Sequence, residues 1–408
     1  MVKILEGMRI VESSAFVAAP LAGMTLAQLG ADVIRFDRIG GGLDHRRWPV
    51  TRDNRSLFWA GLNKGKRSIA VDTANPRGRE IVTRLVTAPG PDAGIFLTNL
   101  RPTGWLGYEE LRRNRADLIM MSILGDRHGG PQVDYTVNPA VGFPTATGPE
   151  GLSEPVSHVL PAWDCITGQK AALGILAAER HRRRTGGGQL VELALKDVAL
   201  AMLGNLGIIG EVTVNGYDRP KFGNSVYGAY ARDFVCADGR RIMVVAITAR
   251  QWQGLGNATG LAAEFAQLGK RLGRDLSKEG DRFLTRKEIG SLLEPWFATR
   301  CVADFADRFT RESIPWSEFR TFKQAVSEDP DLSAAHPMFE TLDQPGIGTF
   351  LVPGSPFDFS DAARQSPRPA PRLGEHTGEI LAEIGYSNVE IASFHDDRIV
   401  AGVGSDHP

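Results

Sequence analysis

Cysteine is scarce in this 408-residue chain: Cys165, Cys236 and Cys301 lie far apart, with no CxxC pair. That excludes a disulfide framework and a zinc site of the paired-cysteine kind, and it fits a reducing cytoplasm. An excess of either charge is missing too, with 47 Lys and Arg against 48 Asp and Glu and a formal net charge of -1. A nucleic-acid partner, which calls for a basic footprint, is therefore not expected. No apolar run has bilayer length. The longest, Val198 to Ile209, is interrupted by Asn205, follows Lys196 and Asp197, and reads as a buried helix. The opening residues, Met1 to Glu6, contain no signal-peptide run. Internal repeats and low-complexity segments are absent. These absences leave a cytoplasmic globular protein with no membrane partner.

Hydrophobic residues make up 42% of the chain and charged residues 23%, enough for a sizeable core. Strand and helix signals alternate through the first 125 residues. Strands are expected at Met8 to Glu12, Asp32 to Phe36, Ser68 to Asp72, Ala93 to Leu97 and Leu118 to Ser122. Helices are expected at Pro20 to Leu29, Pro76 to about Thr87, and Tyr108 to Asn114, Pro20 and Pro76 suiting a first helical turn. This rhythm predicts a parallel sheet covered by helices on both faces, with ligands outside the carboxyl ends of its strands. The loops in question are Ser13 to Ala19, Asp37 to Asp44, Asn99 to Gly107 and Gly125 to Pro139. The first has no GxGxxG, which disfavours a dinucleotide site. Further on, a helix is expected over Gln169 to Arg184, stopped by Gly186-Gly187-Gly188, then a strand over Gln189 to Leu195. Strands near Tyr227 to Phe234 and Arg241 to Ile247 precede helices at Gln251 to Leu272 and Arg286 to Phe297, and a last helix spans Thr377 to Ile384.

Asp164 stands just before the Gln169 helix and has two readings. It is either an ordinary N-cap, accepting from free helix N–H groups, or a carboxylate nucleophile kept ionised by the same helix start. On the second reading its pKa lies at or below about 3.9, and nearby N–H donors stabilise an oxyanion. Cys165 is the rival nucleophile, although a lone cysteine more often packs as a small buried residue. Arg35, Arg38, Arg46, Arg47, Lys64, Lys66, Arg67 and Arg101 gather at or near the expected strand-end loops and favour a phosphate-bearing anion. The Arg180 to Arg184 cluster complements the end of its own helix. Gly40 to Gly42 and Gly186 to Gly188 lack phosphate-loop spacing and read as turns, and His128 and His376 read as structural.

Several stretches are distinctive as a set. They are Leu5 to Val11, Ala19-Pro20, Leu29 to Ile34, Asn63 to Ile69, Thr98 to Pro102, Arg184 to Gln189 and Pro371 to Thr377. In this order the chain resembles the class III CoA-transferases along nearly its whole length. The resemblance implies an α/β fold: a Rossmann-like large domain with a parallel sheet, plus a smaller inserted α+β domain, in an interlocked homodimer. The large domain takes in residues 1–222 and a returning C-terminal segment, 331–408; the small domain is 223–330. It implies that Asp164 is the catalytic residue and that CoA is contacted by Val17, Ala18, Arg38, Lys66, Asn99, Leu100 and Arg101. Coenzyme A is then part of an acyl-CoA substrate, and no metal or redox cofactor is needed. Gly40 to Asp44, Arg47 to Thr51, Leu57 to Asn63, Val133 to Pro139 and His158 to Asp164 carry a narrower likeness, to members that move CoA between the C1 and C4 carboxyls of mesaconate. That likeness implies intramolecular transfer through aspartyl anhydride and aspartyl-CoA thioester intermediates. Departures from the family pattern are Thr136, where many members carry aspartate, and the lack of an extended four-glycine loop. Transfer to a separate dicarboxylic acid is the alternative. Racemisation needs a His–Asp pair, yet the aligned stretch reads Val133-Asp134-Tyr135. A non-catalytic acyl-CoA binder leaves an ionised Asp164 without a purpose.

Overall fold

The structure is a computed structural model and describes residues 2–404; residues 405–408 of the expected C-terminal segment lie outside the described residues. Two compact units emerge. One holds the described residues of Met1–Val141, Val159–Glu211 and Pro330–Pro408, the other Gly142–His158 and Val212–Asp329. The expected boundaries at 222/223 and 330/331 thus fall at 211/212 and 329/330 in the structure, and residues 142–158 join the smaller unit.

In the larger unit six strands run parallel: β1 (Arg9–Ser13), β2 (Asp32–Asp37), β3 (Arg67–Val71), β4 (Ile95–Thr98), β5 (Ile119–Leu124) and β6 (Gln189–Ala194). Later strands are β7 (Tyr230–Val235), β8 (Arg241–Ala246) and β9 (Trp316–Glu318) in the smaller unit, then β10 (Phe339–Gln344), β11 (Gly348–Pro353) and β12 (Val400–Ala401). The main sheet has the order β12-β3-β2-β1-β4-β5-β6, with β12 antiparallel at the edge. The order reverses between β1 and β4, which makes their carboxyl ends the crevice where open α/β sheets bind ligands.

Alternation sorts the strand residues onto two cores. Val11, Ile34, Phe36, Ile69, Phe96 and Met120 pack on one face, and Ile10, Val33, Ile95, Leu97, Ile119 and Met121 on the other. Through residue 205 the helices are α1 (Ala18–Gln28), α2 (Leu57–Leu62), α3 (Pro76–Val86), α4 (Tyr108–Asn114), α5 (Asp134–Ala140), α6 (Phe143–Ala146), α7 (Ala162–Thr185) and α8 (Leu195–Asn205). Helices α3 and α4, with the C-terminal helices Thr377–Glu383 and Asn388–Asp396, cover the first face; α1 and α7 cover the second.

Contact between α1 and α7 is close because of one residue. A Cβ at Gly168 would stand 2.7 Å from the Ala18 carbonyl oxygen and 3.2 Å from Leu21. The absent side chain lets the start of α1 lie against the second turn of α7, one turn beyond Asp164.

The smaller unit is a three-stranded antiparallel sheet, β7-β8-β9, around an aromatic core of Tyr230, Phe234, Phe297, Phe305 and Phe309. The helix expected over Gln251 to Leu272 is two helices, Ala249–Thr259 and Ala262–Leu272, parted at Gly260, whose φ is 75°. Val198 to Ile209 does not form a buried helix. Leu200, Leu206 and Ile209 are exposed, as are Val212 and Val214 in the helix Ile208–Asn215. Among the described residues no single helix is long and apolar enough to cross a membrane, although Leu195–Asn205 and Ile208–Asn215, a bent pair, pass by length and composition together.

Gly168→Ala should destabilise the protein by about 1–3 kcal/mol, because a methyl group there overlaps a backbone carbonyl that cannot swing away. Gly280→Ala is the control: it lies in a helix with nothing within 4 Å of the added Cβ, and should be neutral or stabilising by up to about 1 kcal/mol. Thermal melts of the two variants decide; equal melting shifts would contradict the close approach.

Candidate active site

At the carboxyl end of the sheet an ion cluster is buried around Arg35 of β2. Its guanidinium donates to Asp37 at 2.8 Å, Asp44 at 2.8 Å, the Ser14 carbonyl at 3.0 Å and Asn63 at 3.2 Å. Glu12 of β1 joins through Ser14 Oγ at 2.6 Å and Lys66 Nζ at 2.7 Å. Buried charges are costly unless they are paired and hydrogen-bonded, so this cluster fixes every loop it touches.

One such loop is Ser14 to Val17. The Asn99 side chain clamps Ala15 across the β1/β4 crevice, accepting from its N–H at 2.9 Å and donating to its carbonyl at 2.8 Å. Phe16 donates its N–H to Asp44 at 3.1 Å. Held from both sides, Phe16 adopts a left-handed φ of 66°. The chain then enters α1 with no side-chain cap. Among the described residues the N–H groups of Val17 and Ala18 have no acceptor within the chain, and unsatisfied donors at a helix start suit an anion or a polarised carbonyl.

The other expected contact residues separate into two groups. Asn99, Leu100 and Arg101 follow β4 at the crevice. Leu100 is exposed, and Arg101, with φ 48°, lays its guanidinium over Gly129. Arg38 follows β2, exposed, and donates to the Gly41 carbonyl at 2.8 Å. Lys66 is different. Its ammonium is buried and donates to Glu12, the Pro20 carbonyl (2.9 Å) and Asn63 (2.9 Å), so all three N–H groups are occupied. Burial pushes its pKa down to about 8 against the pull of Glu12. Its side chain supports the loops from beneath instead of facing a ligand.

Asp164 is not the cap of its helix. Helix α7 begins at Ala162, seven residues before the expected start, and Asp164 is the third residue of its first turn. The capping oxygen comes from α5: Asp134 Oδ2 accepts from the Trp163 N–H at 2.8 Å and the Asp164 N–H at 3.1 Å. The Trp163 indole N–H donates to Asn138 at 3.1 Å, one turn along α5. Ala162 and Cys165 donate their N–H groups to the Leu160 and Pro161 carbonyls. The first-turn donors of α7 are therefore all engaged, which corrects the expectation that they meet an oxyanion.

The expected low pKa is corrected as well. Burial and the Asp134 charge push the Asp164 carboxyl up to about 7, with Arg47 acting in the opposite sense. The Arg47 guanidinium sits over the rings of Phe16 and Phe58, 5.2 and 5.3 Å from their centroids. The Cys165 thiol is pushed up by burial and then by Asp164 and Asp134, which disfavours it as a nucleophile. His376 is structural: its Nδ1 accepts from the Ser68 N–H at 3.2 Å. Among the described residues no group of three or more His, Cys, Asp or Glu could hold a metal ion.

Asp134, which caps α7 and raises the Asp164 pKa, is the site neighbour that sequence reasoning passed over. Its only signal is a second acidic residue 28 residues before the start of α7, in the stretch that lacks the histidine of the racemases.

The family model described as CoA-transferase family III matches residues 5–377. The chain is 59% identical over 401 residues to the 2-methylfumaryl-CoA isomerase of Chloroflexus aurantiacus, covering 98% of each chain. It is 29% identical over 432 residues to a formyl-CoA:oxalate CoA-transferase of Rhodopseudomonas palustris, again covering 98% of each. Among solved structures, a CAIB/BAIF family protein from Brucella suis superposes with a TM-score of 0.75 at 27% identity, covering 94% of this chain and 100% of that one. With the match across residues 5–377 and 59% identity over 98% of the chain, the chain belongs to CoA-transferase family III.

Proposed function

We propose that this enzyme moves CoA within one molecule, converting 2-methylfumaryl-CoA to 3-methylfumaryl-CoA with Asp164 as nucleophile. The observation that carries the substrate is the 59% identity with the Chloroflexus isomerase over 98% of each chain; the contact of Gly168, one turn past Asp164, with the open start of α1 supports the chemistry.

An Asp164 oxygen attacks the C1 carbonyl, the C–S bond breaks, and CoA leaves as thiolate. The thiolate attacks the aspartyl carbonyl of the mixed anhydride and expels mesaconate as a dianion. Its C4 carboxylate then attacks the aspartyl thioester, forming a new anhydride and freeing the thiolate again. Thiolate attack at C4 releases the product and the Asp164 carboxylate. Retaining mesaconate makes each return step unimolecular. With the donors of α7 engaged, the N–H groups of Val17 and Ala18 are the ones positioned to meet the tetrahedral oxyanions, and Arg47 supplies positive charge. Arg38, Asn99, Leu100 and Arg101 line the crevice for the CoA moiety. CoA is part of the substrate, and the sequence of steps calls on no metal or redox cofactor.

The same reading makes the protein a cytoplasmic homodimer, with the exposed apolar residues Leu173, Leu200, Leu206 and Ile209 covered by a second copy. Light scattering should give twice the chain mass, and a monomer would contradict this.

Asp164→Asn should lose at least about 10³-fold in kcat, and hydroxylamine should trap Asp164 during turnover of the wild type. Near-normal isomerisation by the variant sinks the nucleophile assignment. Turnover in the presence of labelled free mesaconate should leave the product unlabelled; label uptake would instead make this an intermolecular transferase. The rate should rise with pH through about 7 as Asp164 ionises.

Stability should move the other way. The folded-state pKa of Asp164 lies above its unfolded value of about 3.9, so the folded state binds the extra proton, and stability declines as pH rises between the two values. Asp164→Asn escapes that loss. Its melting temperature should exceed that of the wild type at pH 8, and the gap should close toward pH 4. A gap independent of pH would contradict the raised pKa.

A further inference from the structure

We propose that Asp134 is a positioning residue for CoA exchange: it fixes the first turn of α7 around the nucleophile and sets beside Asp164 a negative charge that each covalent intermediate relieves. The inference rests on the exchange reading above.

Asp134 opens α5 and is almost fully buried, at 1% exposure. One carboxylate oxygen receives both the Trp163 and the Asp164 N–H. Four residues on, Asn138 receives the Trp163 indole, so two side chains on one face of α5 hold α7 in place. The other carboxylate oxygen, Oδ1, is buried without a hydrogen-bond partner. Capping alone does not require this arrangement, since Ser, Thr and Asn cap helices without a charge. A buried, half-satisfied carboxylate is costly, and its charge falls directly on the neighbouring nucleophile.

Charge accounting gives that cost a use. In the resting enzyme two carboxylates stand together at the start of α7. When an Asp164 oxygen bonds to C1 and the C–S bond breaks, Asp164 becomes an uncharged anhydride and the electron pair leaves on the CoA thiolate. When the thiolate displaces mesaconate, Asp164 becomes an uncharged thioester and the charge leaves on the dicarboxylate. Repulsion from Asp134 thus acts on the ionised nucleophile and is absent from both intermediates. The groups facing Asp164 are Asp134 from α5, Arg47 from the loop after β2, and the neutral Cys165 thiol on its own helix. Arg47 pulls toward the ionised form, so Asp164 is poised between the two charges.

The test is Asp134→Asn, which keeps the shape and an oxygen acceptor but removes the charge. Asp164 ionisation is followed without substrate by its infrared carboxyl band, assigned through its loss in Asp164→Asn. The variant's titration should lie about one pH unit or more below the wild type. The acid limb of kcat/KM should shift with it, and plateau kcat should fall while KM stays within about twofold. A purely structural cap would leave the titration and the limb where they are, and that result overturns the proposal. Should Asp134→Asn not fold, Asp134→Ser, which keeps a hydroxyl acceptor, carries the same expectation and the same overturning result. Failure of the wild type to isomerise 2-methylfumaryl-CoA would refute the exchange reading alone, because the infrared titration still decides the influence of Asp134.

Discussion

The buried Arg35 guanidinium organises the ligand-facing end of the sheet. Only a planar cation with five donors can hold Asp37 and Asp44 while also reaching the Ser14 carbonyl and Asn63. Apart from Asp37, at the end of β2, those partners come from the loop after β1, the loop after β2 and the segment entering β3. A single side chain therefore sets three loops that have no regular structure of their own. The cluster cannot be relaxed piecemeal, because removing one member of a buried ion pair leaves an uncompensated charge worth roughly 3–5 kcal/mol. Asp44, fixed by Arg35, in turn fixes the N–H of Phe16 and thus the direction in which the chain enters α1. The open helix start at Val17 and Ala18 depends on an arginine in the neighbouring strand.

The two helix starts nearest Asp164 are used in opposite ways. Helix α7 carries Asp164, yet its free donors are taken by Asp134 and by local carbonyls. Helix α1 has no side-chain cap, and its first donors stay open. Gly168 brings the two together by allowing the Ala18 carbonyl within a distance no side chain tolerates. Asp164 and the open donors of α1 thus sit on different helices, at a spacing set by backbone contact. A preorganised site requires such a fixed spacing, since donors that must move during the reaction lose their electrostatic advantage.

The parallel sheet was legible in the sequence because strand alternation and the Pro-initiated helices are local signals. All five strands expected before residue 125 occur within two residues of their expected ends. The helices α3 and α4 likewise follow from Pro76 and Tyr108. Non-local features were not legible. The two-residue β12 exists only because β3 is there to pair with it, and the β10–β11 hairpin sits in turn-rich sequence that gave no alternation to follow. The early start of α7 was hidden because its cap is Asp134, some 30 residues upstream, and not a residue next to the helix. Lys66 shows the limit of counting charges: a lysine among strand-end cations reads as a ligand contact until burial and three acceptors reveal its internal role. Helix-dipole reasoning put the Asp164 pKa on the wrong side of its ordinary value, because desolvation and a second carboxylate outweigh a helix start that is already capped.

That reversal bears directly on the chemistry. A strongly stabilised carboxylate is a weak nucleophile and an excellent leaving group, so an aspartyl anhydride formed on it collapses easily. An aspartate poised near neutrality is more basic and holds an acyl or thioester bond more firmly. Exchange between the two carboxyls of one acid needs the enzyme-bound intermediate to last until mesaconate presents its other end. It must also break when the thiolate or carboxylate attacks. Asp134 raises the energy of the free Asp164 carboxylate and so favours the covalent states; Arg47, held between two aromatic rings, stabilises the carboxylate as it departs. The two charges oppose each other, Asp134 acting more strongly on Asp164 than Arg47 does. Because Asp134 is tied to the backbone of α7 and Arg47 to Phe16 and Phe58, this balance is built into the same elements that carry the nucleophile and open the start of α1.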